Sequence, residues 1–130
     1  MARRILVVED DADMRALVAA TLRTAGYDPI SAVSAEDGLA LLENEDCHAA
    51  LLDLRLPGRS GLDALGAISA KWPAFPVIVA TASVEVREAQ VKARGARGLL
   101  RKPFSADQLL AAVAEVLGPA GSEPSARVDA

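Results

Sequence analysis

The sequence has little cysteine, few aromatic residues and no long apolar segment, and each shortage excludes a class of protein. A single cysteine, Cys47, excludes a disulfide framework and a thiolate metal cluster, and it fits a reducing compartment. Aromatic residues make up only 3% of the 130 residues, so the core must consist of aliphatic side chains. No stretch approaches the roughly 18 apolar residues of a membrane span, and the N-terminal apolar run is too short for a signal peptide. We therefore expect a cytoplasmic domain without a membrane partner.

An excess of basic residues is also missing. The net charge is −4, which argues against direct binding of nucleic acid or of an anionic membrane. Residues 84–102 are the local exception, because six basic side chains face only two acidic ones there: Arg87, Lys92, Arg94, Arg97, Arg101 and Lys102 against Glu85 and Glu88. Such a patch is either an ordinary solvated face or a surface for an acidic protein or a second copy of the chain.

Short apolar runs alternate with stretches of helical periodicity along the chain. The runs predict strands at residues 5–8, 29–33, 49–52, 77–80 and 99–100. Helices are predicted over 14–25, from 34 onward, over 61–72, over 84–94 and over 105–118, with Asp13, Ser34 and Ser105 as caps. The proline at position 29 favours an edge strand.

This alternation predicts an α/β fold with a parallel sheet, right-handed crossovers and helices on both faces. Residues 1–118 form the expected domain. Residues 119–130 are rich in Pro, Gly, Ser and Ala without periodicity, which indicates a flexible C-terminal tail or linker.

Polar side chains stand at the ends of four predicted strands. Glu9 and Asp10 follow the first strand, Asp53 the third, Thr81 the fourth, and Lys102 closely follows the fifth. A single Asp at a strand end is usually a helix cap or turn former. Because parallel strands present their carboxyl ends on one edge, where open α/β sheets bind ligands, four such ends instead indicate a functional site.

The residue types predict phosphoryl chemistry at this edge. Three neighbouring carboxylates require a cation, and hard oxygen ligands favour Mg²⁺, with Asp10 and Asp53 holding it and Glu9 binding directly or through water. A carboxylate is a competent nucleophile toward phosphorus, which assigns that role to Asp53. Lys102 supplies a positive charge and Thr81 a hydroxyl donor for the transferred group.

This set of residues resembles the receiver domain of bacterial two-component response regulators. The resemblance covers about residues 3–117. It rests on five short motifs in order: Glu9-Asp10; Asp53 with Leu56-Pro57 and Gly61; Thr81-Ala82; Gly95-Ala96; and Lys102-Pro103-Phe104.

The resemblance implies a flavodoxin-like (βα)5 doubly wound sandwich with strand order 2-1-3-4-5 and a cis Lys102–Pro103 peptide bond. It implies that Asp53 accepts a phosphoryl group from a sensor histidine kinase or a histidine phosphotransfer protein. Mg²⁺ would be held by Glu9, Asp10, Asp53 and the backbone carbonyl of Arg55. Phosphorylation would switch a surface of helix 4, strand 5 and helix 5, which would bind a second copy or an output partner. The chain would not be an enzyme acting on other substrates.

Two residues depart from the family pattern. Leu99 stands where the family usually has Tyr or Phe, and it keeps open an alternative, a pseudo-receiver that acts as a constitutive interaction or dimerisation module. Arg55, two residues after Asp53, places a guanidinium over the site, where it would contact the phosphoryl group or obstruct water. The same arginine argues against a phosphatase of the aspartyl-nucleophile type, which needs an Asp at that position. His48, Cys47 and Trp72 are expected to be structural.

Overall fold

Five apolar runs form five strands, each followed by a helix. The computed structural model describes residues 2–55 and 60–118. Its elements are β1 (Arg4–Val8), α1 (Ala12–Thr24), β2 (Asp28–Ala32), α2 (Ala35–Asn44), β3 (Ala49–Asp53), α3 (Gly61–Lys71), β4 (Val77–Thr81), α4 (Glu88–Ala93), β5 (Gly98–Arg101) and α5 (Ala106–Leu117). The predicted tail, residues 119–130, and the motif residues Leu56 and Pro57 lie outside the described residues, so the domain boundary stays a prediction.

The strands form one parallel sheet in the order β2-β1-β3-β4-β5. This order confirms the predicted fold, and it places Pro29 on an edge strand, as expected. Every residue of β3 and β4 is buried, because these strands have neighbours on both sides and helices on both faces. The carboxyl ends of β1, β3, β4 and β5 therefore meet at one edge of the sheet.

Alternation along each strand divides the core into two layers. Leu6, Leu52 and Val79 contribute to the layer that contains the buried side chains of α2, α3 and α4. Ile5 and Leu51 contribute to the opposite layer, together with those of α1 and α5. Because strand side chains have a period of two, the same short runs supply both layers.

The start of α1 differs from the prediction. Asp11, and not Asp13, is the N-cap, because its side chain accepts the Met14 N–H at 2.9 Å. Asp13 instead lies in the first turn, where a negative charge is favourable next to the helix dipole. The predicted caps Ser34 and Ser105 are confirmed.

Helix α4 is shorter than the prediction of 84–94. It spans Glu88–Ala93, and Val84 lies outside it with 90% of its surface exposed. The Thr81 hydroxyl accepts the Ser83 N–H, and the Ser83 hydroxyl accepts the Glu85 N–H. These local hydrogen bonds compete with helix formation before residue 88. The other element bounds agree with the prediction within two residues, and the Lys102–Pro103 peptide bond is cis.

Gly95 is expected to be intolerant of a side chain, because it combines a positive φ with a close neighbour. Its φ is +108°, and an added Cβ would lie 2.2 Å from Ser69 Oγ and 2.6 Å from Ser69 Cβ. Rotation of Ser69 relieves only the first contact. Gly26 has a similar φ of +93° but nothing within 4 Å. We therefore expect Gly26→Ala to cost about 1 kcal/mol of unfolding free energy, and Gly95→Ala about 1–2 kcal/mol more.

Urea denaturation of both variants measures this difference. Adding Ser69→Gly to the Gly95→Ala chain should recover the steric part of the loss. Equal losses in the two alanine variants would contradict the assigned contact with Ser69.

Candidate functional site

An open crevice of about 590 Å³ lies at the carboxyl edge of the sheet. It is lined by residues from four strand ends: Glu9, Asp10, Asp11, Asp53, Arg55, Ala82 and Lys102. Five of the predicted site residues therefore come together here: Glu9, Asp10, Asp53, Arg55 and Lys102. Their catalytic and metal-binding roles stay predictions.

Lys102 forms an ion pair with two carboxylates at once. Its Nζ donates to Glu9 Oε1 at 2.7 Å and to Asp53 Oδ2 at 3.2 Å. The side chains of Glu9 and Asp53 are only 7% and 6% exposed, and that of Lys102 is 17% exposed. Because one ammonium faces two carboxylates, this buried group retains a net negative charge.

Burial and charge shift two pKa values in this group. Burial raises the pKa of Glu9 above its ordinary value and the charge of Asp53 adds to this, although the hydrogen bonds from Lys102 and from the Asp11 N–H oppose it. Burial lowers the pKa of Lys102, but the hydrogen bond to Glu9 and the charge of Asp53 outweigh this, and the net pKa is raised. Lys102 is therefore charged at neutral pH, and the crevice favours additional positive charge.

The three carboxylates form a donor set suited to a hard cation. One oxygen from each of Glu9, Asp10 and Asp53 lies within 4.8 Å of the others. Backbone amides orient two of them: the Asp11 N–H donates to Glu9 Oε2 at 3.1 Å, and the Arg55 N–H donates to Asp53 Oδ1 at 3.0 Å. Mg²⁺ prefers such oxygen ligands. The residues present therefore fit Mg²⁺.

Thr81 lies next to the crevice but is not part of its lining. It is the last residue of β4 and only 1% exposed, and the neighbouring Ala82 contributes to the wall. Its hydroxyl oxygen accepts the Ser83 N–H at 3.0 Å. Because a hydroxyl has one proton and two lone pairs, this contact leaves the proton available for donation.

Two arginines near the site were not predicted as site residues from the sequence. Arg15 Nη1 donates to the carbonyl oxygens of Glu9 at 2.9 Å and of Asp10 at 3.3 Å, so it holds the acidic segment after β1. Arg15 lies one turn into α1, and this position is the sequence signal that could have indicated its contact with the segment after β1. Arg101 donates to two backbone carbonyls between β4 and α4. These hydrogen bonds depend on the path of that segment, which the sequence pattern does not indicate.

The residues expected to be structural lie away from the crevice. His48 precedes β3, and its Nδ1 accepts the Arg4 N–H at 3.0 Å at the opposite edge of the sheet. Cys47 is fully buried, and Trp72 caps α3 and is 8% exposed. None of these three residues lines the crevice.

Comparisons with known proteins identify a family that matches most of the chain. Residues 5–114 match the model of the response regulator receiver domain. The chain is 35% identical to the response regulator protein FleR of Pseudomonas aeruginosa, over 98% of this chain and 29% of that protein. It therefore spans less than a third of the length of this relative.

Solved structures of receiver domains are similar to this fold. A CheY-like receiver domain protein of Methanospirillum hungatei has a TM-score of 0.85 and 30% identity, covering 90% of this chain and 94% of that one. The chemotaxis regulator CheY4 of Vibrio cholerae has a TM-score of 0.83 and 28% identity, covering 90% and 100%. NtrX of Brucella abortus, solved with ADP, has a TM-score of 0.84 and 32% identity over 90% of this chain but 27% of that one.

Within residues 2–55 and 60–118, no helix has the length and apolar content needed to cross a membrane.

Proposed function

Because the chain belongs to the response regulator receiver domain family, we propose that it is a phosphorylatable signalling domain in which Asp53 accepts the phosphoryl group. The observation that carries this proposal is the environment of Asp53. Its carboxylate stands at the end of β3, oriented by the Arg55 N–H and Lys102 and adjacent to the carboxylates of Glu9 and Asp10. Asp10 and Asp11 are exposed, and Glu9, although equally buried and also bonded to Lys102 and a backbone N–H, follows β1, whereas Asp53 ends the central strand β3.

The proposed transfer is balanced without an added reductant or oxidant. A carboxylate oxygen of Asp53 attacks phosphorus, and the bond from phosphorus to the leaving group breaks. With acetyl phosphate the leaving group is acetate, which departs with the electron pair and needs no proton. With a phosphohistidine donor the P–N bond breaks, and the imidazole leaves neutral when its other nitrogen carries a proton.

The residues around Asp53 have distinct proposed roles. Glu9, Asp10, Asp53 and the backbone carbonyl of Arg55 hold Mg²⁺, which when bound supplies positive charge against the phosphoryl oxygens. Lys102 pairs with Asp53 before transfer and with a phosphoryl oxygen afterwards. The Thr81 hydroxyl donates its proton to another phosphoryl oxygen.

The proposed partners follow from this chemistry and from the charge of one face. The donor is a sensor histidine kinase or a histidine phosphotransfer protein. The output surface comprises α4, β5 and α5, where Arg87, Lys92 and Arg94 are exposed, and it fits an acidic protein or a second copy of the chain. Direct binding of nucleic acid is not part of the proposal. The chain acts on no other substrate, and its cytoplasmic location stays a prediction.

A second candidate is a constitutive interaction module without phosphorylation. Leu99 favours it. This aliphatic side chain is partly buried against the core layer that contains α2, α3 and α4, and it has neither the ring nor the hydroxyl of the aromatic residue that usually stands at this position. Both candidates keep the same fold. They differ in whether Asp53 is modified.

Intact mass after incubation with acetyl phosphate and Mg²⁺ tests the proposed function. We expect wild type to gain one phosphoryl group, and Asp53→Asn to gain none because it lacks the nucleophile. Asp63→Asn is the matched control, since Asp63 is exposed in the first turn of α3, and it should gain the group like wild type. Chelation of Mg²⁺ should suppress the gain. A wild-type chain that gains nothing under any condition would overturn the proposal in favour of the constitutive module.

A further inference from the structure

The segment between β4 and α4 is held at Ser83 from two sides. On one side, the Ser83 N–H donates to Thr81 Oγ1 at 3.0 Å. On the other, Arg101 Nη1 donates to the Ser83 carbonyl at 2.8 Å, and Arg101 Nη2 donates to the Val86 carbonyl. The two peptide groups of Ser83 therefore connect the buried hydroxyl of Thr81, beside the crevice, to the exposed guanidinium of Arg101.

Arg101 is suited to hold this segment. It is the last residue of β5, it is exposed, and it lies opposite Thr81 in the register of the sheet. A single exposed hydrogen bond contributes little, but a planar guanidinium with two carbonyls has a defined orientation. Its contacts reach 18 and 15 residues back along the chain, so they depend on the docking of β5 against β4.

We propose that Arg101 is a positioning residue for Thr81. By holding the Ser83 carbonyl, Arg101 keeps the Ser83 N–H on Thr81 Oγ1, which fixes that oxygen as an acceptor. The hydroxyl proton is then left for the phosphoryl group on Asp53. The Val86 contact extends the same hold toward α4. This inference rests on the proposed function, since Arg101 positions Thr81 and the proposed function has Thr81 contact the transferred phosphoryl group.

Amide hydrogen exchange of residues 82–87 tests the hold without any phosphorylation. We expect Arg101→Met to speed exchange at these amides about fivefold or more, because two charge-assisted hydrogen bonds are lost. Arg101→Lys should give exchange rates between those of wild type and Arg101→Met, since an ammonium does not reproduce the planar pair of donors. Arg97→Met is the matched control, because Arg97 is also exposed and donates to the distant Ala74 carbonyl at 3.1 Å. Unchanged exchange in Arg101→Met would overturn the proposal.

A double-mutant cycle with Thr81 tests the positioning role. The initial rate of phosphoryl uptake from acetyl phosphate with Mg²⁺ is measured for wild type, Arg101→Met, Thr81→Ala and the double variant. We expect Arg101→Met to slow uptake about threefold when Thr81 is present. In the chain that already carries Thr81→Ala it should cause no further slowing, because Arg101 acts through the Thr81 hydroxyl. Arg23→Met, on the exposed last turn of α1, should match wild type.

The outcomes separate the inference from the function on which it rests. Equal slowing by Arg101→Met with and without Thr81 would overturn the positioning role. A wild-type chain that takes up no phosphoryl group would overturn the proposed function, while the exchange measurement still decides whether Arg101 holds the segment.

Discussion

Replacement of Lys102 by methionine is expected to destabilise the fold by about 2–3 kcal/mol and to slow phosphoryl uptake by Asp53 about 100-fold. The stability loss arises because Glu9 and Asp53 are left as two buried carboxylates without their shared cation. The rate loss arises because one preorganised donor to the transferred group is removed. Urea denaturation and the initial rate of uptake measure the two effects.

The destabilisation by Lys102→Met should depend on pH in a definite direction. The pKa of Glu9 is already raised by burial, and loss of the ammonium raises it further. A carboxyl whose folded pKa is raised favours the folded state below its unfolded pKa, and this contribution is lost as the pH rises through the folded pKa. The variant should therefore lose more stability, relative to wild type, at pH 7 than near pH 5.

Two other variants control this result. Asp53→Asn should not share the stability loss, because it removes one of the two carboxylates and leaves Lys102 paired with Glu9. Lys92→Met, which breaks only an exposed pair with Glu88, should change the free energy of unfolding by no more than about 0.5 kcal/mol. A Lys102→Met chain as stable as Lys92→Met would refute the assigned ion pair.

Gly61→Ala is the second large effect that we expect. An added Cβ would lie 2.4 Å from Leu54 Cα, 2.7 Å from the Asp53 carbonyl oxygen and 2.8 Å from the Leu54 carbonyl oxygen. All three are backbone atoms at the end of β3 and just beyond it, so no side-chain rotation relieves the contact. The start of α3 must move away from the strand end that carries Asp53. We expect a loss of about 3 kcal/mol or more in the free energy of unfolding, together with slower phosphoryl uptake.

Gly66→Ala provides a matched control in the same helix. Gly66 lies in the interior of α3 with nothing within 4 Å of an added Cβ. Alanine should therefore stabilise the chain by about 0.5–1 kcal/mol through its higher helix propensity. Urea denaturation of the two variants should give changes of opposite sign. Similar changes would mean that Gly61 does not lie against the end of β3 as described.

The sequence predicted the fold and the edge of the sheet that carries the candidate site for one physical reason. Asp53 is the last residue of β3 and Lys102 directly follows β5, and parallel strands bring their carboxyl ends to one edge whatever the intervening loops do. The distance between these two residues in sequence was therefore no obstacle to placing them together.

The caps Ser34 and Ser105 were predicted correctly, but other hydrogen bonds between side chains and the backbone were not. Asp11 caps α1 where Asp13 was predicted, because the position of the cap depends on where β1 ends. The late start of α4 depends on the hydroxyls of Thr81 and Ser83, which compete with a helical pattern. The contacts of Arg101 require the path of the segment before α4, which no periodicity encodes.

The ion pair between Glu9 and Lys102 also has a consequence for the time course of synthesis and folding. These residues are separated by 93 positions, and Asp53 and Lys102 by 49. On a growing chain, both carboxylates leave the ribosome well before the ammonium that neutralises them. The acidic edge is then a source of repulsion that ends only when β5 docks beside β4. Docking of the last strand and completion of the candidate site are thus one event, so a chain competent to take up a phosphoryl group is one whose five-stranded sheet is complete.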